Sequence, residues 1–305
     1  MKRLMIGQFG YYNHEKHIRD FRNSFYGVEA CLLKDEADIH ELITTSNKEK
    51  FNIGIHFPLR AGGWRLRDPQ FLSKDDAIRK SSFEYIKDEL EFLKDIRLKY
   101  VLFHYPKPVI LDSSVDWTNI RFTDETEYYY ELDFSFEDLV ERSEKLFLWL
   151  DQMGNKYEFI PVLELDIICK YIYDTDILET MLNKHKKIRL CLDIGRLHFQ
   201  DKIDQNFDAY KFTKRFAKYA EVIHLWNVKV TNNIDGGHFP VLPTLKPEEG
   251  WADIETYLKI IREENTKCKI LFEHRSDLIT DEELENCYQW VNKLLKNDSP
   301  NSDSQ

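Results

Sequence analysis

The fold class this sequence predicts is α/β, a single-domain (β/α)8 (TIM) barrel, on three observations. Eight short apolar runs recur along the 305 residues. They are rich in β-branched and aromatic residues rather than strictly alternating, the pattern of parallel strands covered on both faces. Between them lie longer segments in which apolar residues return every three or four positions, as one face of a helix requires. Strand and helix in alternation, eight times over, is the order an eight-stranded α/β barrel needs. A doubly wound open sheet is the competing architecture, but no GxGxxG turn follows an early strand.

The strands are predicted, in order, at LMIGQF (4–9), GVEACLL (27–33), FNIGIHF (51–57), KYVLFHY (99–105), YEFIPVLEL (157–165), KIRLCLDI (187–194), EVIHLWNV (221–228) and KCKILFEH (267–274). Helical spacing is clearest over 75–96, where the polar face carries opposite charges four residues apart, and it recurs over 136–152, 208–220, 252–264 and 281–296. Two connections are longer than a plain barrel needs: 58–73 after the third strand and 106–135 after the fourth. Both leave the C-terminal ends of strands, the face on which barrels build their sites, so they read as substrate walls or lids. The barrel is predicted over 1–296. The tail 297–305 is polar and too poor in apolar residues to order itself.

A 42% hydrophobic fraction with 14% aromatic residues supports a large core. The formal charge of -11 argues against a protein that grips nucleic acid by bulk positive charge. Five cysteines, scattered and without CxxC spacing, suit a reducing compartment and buried thiols. No signal-peptide core forms behind the first residues, and no run reaches the roughly 18 apolar residues of a membrane span. A cytoplasmic protein is expected.

The chemistry gathers at strand ends. From the third strand to the eighth, a metal-ligand residue type stands at the C-terminal end of each run: His56, His104, Glu164, Asp193, His224 and Glu273. Any one of them alone reads more simply as a hydrogen-bonded histidine or a helix-capping carboxylate. Six at equivalent points of a closed barrel converge on the axis, and the carboxylates among them would repel strongly. A divalent cation removes that cost. Glu164, Asp193, His224 and Glu273 make a three-carboxylate, one-imidazole set suited to manganese, magnesium or zinc with positions left open. His56 and His104 have two readings: ligands of a second ion bridged by Glu164, or histidines that bind substrate or each other.

At these residues the chain resembles the xylose isomerase-like barrel superfamily, which holds sugar isomerases and epimerases and the apurinic-site endonucleases. The resemblance rests on IHFP (55–58), VLFHYP (101–106), LELD (163–166), CLDIGRLHF (191–199), IHLWN (223–227), GGHFP (236–240) with EGWADIETYL (249–258), and LFEHR (271–275). It implies that Glu164, Asp193, His224 and Glu273 are the shared metal set and that His56 and His104 match the pair used for an additional zinc in the endonuclease branch. Two departures bear on the reaction. Arg196 stands where that branch has a histidine, and its Asp-x-His motif is here Gly236-Gly237-His238, with Asp235 displaced by one. A complete three-zinc site is therefore not expected, although His198 and Asp235 lie near enough in sequence to substitute.

By the same resemblance, Glu164 and Glu273 are the acid/base pair of a proton-transfer isomerase or epimerase acting on a sugar, sugar phosphate or other small polyhydroxy substrate. Arg60, Arg65, Arg67, Arg196 and Arg275 cluster where loops leave the strands, which favours an anionic substrate; the first three equally suit an acidic surface. Substrate contacts are expected from Arg196, His238, Arg275, Trp226 and Trp64, and Tyr105 and Phe239 are further candidates for pocket walls. Two alternatives stay open: an endonuclease-like zinc phosphodiesterase, and a barrel that keeps its metal but only binds a ligand.

Overall fold

The computed structural model describes residues 2–296 except Arg67 and Arg121. The expected tail 297–305 and Arg67 thus lie outside the described residues. Eight parallel strands close into a barrel: β1 (Leu4–Phe9), β2 (Gly27–Cys31), β3 (Asn52–His56), β4 (Leu98–Tyr105), β5 (Ile160–Leu165), β6 (Arg189–Asp193), β7 (Ala220–Leu225) and β8 (Lys269–Phe272). Closure is made by β1 against β8, with Leu4, Met5 and Ile6 opposite Ile270, Leu271 and Phe272. Every predicted apolar run coincides with one of these strands, β4 and β7 beginning one residue before their runs.

The pleat sorts each run into two faces. Outward residues such as Ile6, Val101, Leu163, Leu192, Ile223 and Ile270 join the large core packed beneath the helices. Inward residues Met5, Tyr100, Leu102, Val162, Cys191, Val222 and Leu271 form a separate plug that fills the barrel. Tyr100 fits there because Gly54 stands opposite, where a Cβ would come within 2.3 Å of its ring. This plug is the floor on which the site rests.

The helices are α1 (His14–Asp20), α2 (Glu36–Glu49), α3 (Asp76–Leu93), α4 (Phe136–Lys156), α5 (Lys170–Tyr173), α6 (Ile177–Lys184), α7 (Ile194–Ile203), α8 (Ala209–Phe216), α9 (Ile254–Glu264) and α10 (Asp281–Leu294). The five segments with clear helical spacing are α3, α4, α8, α9 and α10. The rest are short or weakly patterned, and the sequence did not single them out. The seventh predicted run divides: β7 ends at Leu225, and Asn227–Val230 turns away to pair antiparallel with Ile234–Phe239. Asn227 holds the corner, its side-chain oxygen accepting from the Val228 and Ala252 N–H groups. Within the connection 106–135, Val109–Leu111 pairs with Tyr128–Tyr130. All five cysteines are free and buried. Among the described residues, no helix is long and apolar enough to cross a membrane.

Candidate metal and substrate site

One pleat step above the apolar plug, the inward positions become polar. Leu102 is followed by His104, Val162 by Glu164, Cys191 by Asp193, Val222 by His224 and Leu271 by Glu273, each two residues on. The barrel register sets His104 opposite Glu164 and Asp193 opposite His224. Glu164 is at the centre. Its Oε2 lies 3.2 Å from His56 Nε2 and 3.3 Å from His104 Nε2, and its Oε1 lies 3.6 Å from His224 Nδ1. His224 Nδ1 is also 3.1 Å from Glu273 Oε2.

Behind His224 is a residue the sequence reading missed. Glu29, on β2, sets Oε1 3.2 Å from His224 Nε2, and Tyr100 donates its hydroxyl to Glu29 Oε2 at 2.6 Å. The carboxylate accepts from Nε2 and turns Nδ1 toward Glu164 and Glu273, the arrangement by which ligating histidines are oriented. A glutamate inside the otherwise apolar run GVEACLL was the available signal. Asp193 is held as tightly: Oδ1 accepts the Arg196 N–H at 3.0 Å and Oδ2 accepts the Trp226 indole N–H at 3.0 Å.

Three donor atoms, Glu164 Oε2, His104 Nε2 and His224 Nδ1, are buried and make no hydrogen bond among the described residues. Such atoms are costly to bury unless something binds them. In His56–His104–Glu164, and again in Asp193–His224–Glu273, one donor atom from each residue lies within 4.8 Å of the others. Two ligand atoms about 2.1 Å from one ion, at tetrahedral to octahedral angles, stand roughly 3.0–3.4 Å apart, and most of the separations above fall in that interval. The residues present therefore fit a divalent ion.

Burial pushes Glu164 and Glu273 toward the neutral acid, but the neighbouring imidazoles outweigh it, holding Glu164 well below the usual carboxylate range and Glu273 down at about 2. Asp193 goes the other way, to about 6, because burial and the two glutamates exceed the help of Arg196 and His224. One guanidinium is shared among the group: Arg196 Nε lies 3.5 Å from Glu164 Oε1 and 3.3 Å from Asp193 Oδ2, and its Nη1 binds Asp166. Asp166 also holds Lys107 at 2.7 Å, Lys107 holds Asp68 at 3.0 Å, and Asp68 faces His104 Nδ1 at 2.9 Å. A chain of alternating charge thus runs beside the site, along the wall of the smaller cavity.

Two cavities meet here, with Arg196 and His238 in the wall of both. The larger, about 760 Å³, is lined by Glu273 and by the ends of β1 and β8; the smaller, about 430 Å³, by His104, Asp166 and Trp226. No protein-family model and no curated protein matches the chain. Solved structures do. A D-tagatose 3-epimerase-like protein aligns with TM-score 0.60 at 15% identity, over 97% of this chain and all of its own (100%). A Thermus thermophilus protein soaked with zinc chloride aligns with TM-score 0.59 at 15% identity, over 96% of this chain and 97% of its own. A Mycobacterium smegmatis xylose isomerase-like TIM barrel protein in complex with magnesium gives 0.53 at 11% identity, over 97% and 98%. The fold these structures share with the chain is the closed parallel (β/α)8 barrel.

Within this barrel the remaining predicted residues are dispersed. His238 stacks on Trp226 with ring centres 4.2 Å apart, and its Nδ1 bonds the Glu273 carbonyl at 2.8 Å. Arg275 is an exposed rim residue of the larger cavity, paired with Asp277 at 2.6 Å. Trp64 lines neither cavity and stacks on Tyr85. Arg60 pairs with buried Glu89 at 2.8 Å, and Arg65 with Asp124 at 3.2 Å. Tyr105 is core, bonded to Ser143, and Phe239 packs on Trp251. His198 binds the Gly250 carbonyl at 3.0 Å, and Asp235 is exposed on the second strand of the hairpin Asn227–Phe239.

Proposed function

We propose that this chain is a divalent-metal-dependent enzyme of the isomerase or epimerase type, moving a proton on a sugar, sugar phosphate or similar small polyhydroxy compound. The observation that carries the reading is the convergence of Glu164, Asp193, His224 and Glu273, with unpartnered donor atoms among them, beside a ligand-sized cavity. Manganese, magnesium or zinc held by these four would bind adjacent substrate oxygens and polarise a carbonyl, making the proton on the neighbouring carbon acidic.

The chain's own residues supply the rest. Glu273 lines the cavity and stays ionised against His224, which suits it to take or return that proton. Glu164 is the second carboxylate of the pair, buried between His224 and the His56–His104 side. Asp193 and His224, each fixed by a hydrogen-bonded neighbour, hold the geometry. His238 and Trp226 offer a stacked flat wall in the smaller cavity.

A second reading has its own observation: His56 and His104 both face Glu164 Oε2, as a two-ion phosphodiesterase would need. Against it, Arg196 is occupied by Asp166 and the carboxylates, where a further histidine would serve a third zinc. Metal analysis of the purified protein separates the two. One exchangeable manganese or magnesium per chain, with deuterium from solvent entering a ketose, supports the isomerase reading. About two zincs, with cleavage of abasic duplex DNA that Glu164→Gln abolishes, replaces it. Metal without either activity leaves a ligand-binding barrel, and no metal at all sinks every version.

A further inference from the structure

The larger cavity contains a cation that the proposed chemistry does not use. Of the positive groups along its wall, Arg19 is taken up by Asp281 at 2.6 Å and by the carbonyls of Ser276 and Ile279. Arg275 is paired with Asp277, and Arg196 with Asp166. Lys16, on α1, makes no ion pair among the described residues. Its ammonium donates to the Gly7 carbonyl at 2.5 Å, which engages one of its three donors.

The lysine is held in place from its backbone. Gln8 clamps Asn13 from both sides, accepting its N–H at 3.0 Å and donating to its carbonyl at 3.1 Å, and Asn13 Oδ1 accepts the Lys16 N–H at 2.9 Å. Burial lowers the pKa of the amine, more than Asp20, Asp277 and Glu273 raise it. A half-buried ammonium that no carboxylate among the described residues reaches at ion-pair distance is an arrangement that a bound anion would relieve. Glu273 lines the same cavity, whose size suits a substrate reaching both groups.

We infer that Lys16 seats an oxyanion of the substrate, a carboxylate or phosphate, so that the chain acts on an acidic sugar rather than a neutral one. This rests on the reading above for the polyhydroxy part of the substrate, which would lie toward Glu273.

The test compares matched ligands by calorimetry: D-ribulose 5-phosphate against D-ribulose, and 2-keto-D-gluconate against D-fructose, with metal and again in EDTA. The charged member of one pair should bind roughly tenfold or more tightly than its neutral partner, as a charge-assisted contact predicts. The pair that responds tells phosphate from carboxylate. K16M should erase that preference while leaving the neutral sugar's affinity unchanged, and K16R should keep most of it. If K16M fails to fold, K16Q and loss of the wild-type preference in high salt give the same readout. Equal binding within both pairs, or a preference that survives loss of the lysine, overturns the inference. A Lys16-dependent preference in a protein that holds no metal would keep this subsite and remove the proposed reaction; deuterium exchange without any preference would do the reverse.

Discussion

Glu29 shows how much of the site depends on a residue that touches no substrate. It binds the far side of His224, and Tyr100 binds Glu29 in turn. Outer partners of this kind typically account for 10–100-fold in metal affinity, so Glu29→Gln should weaken manganese or zinc binding by about that factor while the fold survives. Competition with a fluorescent chelator measures it, and unchanged affinity would make Glu29 merely structural. The six strand-end residues were legible because a parallel strand repeats its pleat and the metal-ligand types recur at one phase of it. Glu29 obeys the same parity on β2 but looks like an interruption of an apolar run. Asp68, Lys107 and Lys16 lie off the barrel strands, where no periodicity marks which side chains turn inward.

At the scale of elements, the join between β6 and α7 shapes the site most sharply. Asp193 ends the strand and caps the helix, and two residues later Gly195 lets the Trp226 ring lie against the helix backbone. A Cβ at that position would stand 2.4 Å from the indole. Trp226 has little room to retreat, being stacked on His238 and bonded to Asp193. Helix propensity favours Gly195→Ala by up to about 1 kcal/mol, whereas overpacking costs about 1–3 kcal/mol. The variant should therefore lose roughly 1–2 kcal/mol in urea unfolding, and bind metal more weakly because Asp193 loses its support. A variant as stable as wild type would mean that the ring moves freely. The strands were legible from composition, and the long amphipathic helices from their period. The hairpin beyond β7 was not, because Asn227–Val230 continues the apolar pattern of the strand before it and only the Asn227 side chain marks the turn.

Across the whole molecule, stability should respond to pH through histidines kept neutral by burial. His198 is 5% exposed, and burial depresses its pKa below 6.5 more than the Gly250 carbonyl raises it. The unfolded chain then binds the extra proton first, so this contribution is present above about pH 6.5 and is lost as pH falls toward the lowered folded value. Unfolding midpoints between pH 7 and 5 should fall less steeply in His198→Gln than in wild type. The charge chain Asp68–Lys107–Asp166–Arg196 joins the connection after β3, the connection after β4, the end of β5 and α7, so it ties together much of the C-terminal face. Removing one member strands its partners in a dry setting, for which about 3–5 kcal/mol is the usual cost. Lys107→Met belongs near the low end of that range, because Asp166 keeps Arg196 and Asp68 keeps His104. Adding Asp166→Asn removes one of the stranded charges, so the double variant should be less damaged than the sum of the two single ones. Strict additivity in urea unfolding would show that these charges are neighbours without being coupled, and that the face is held by packing alone.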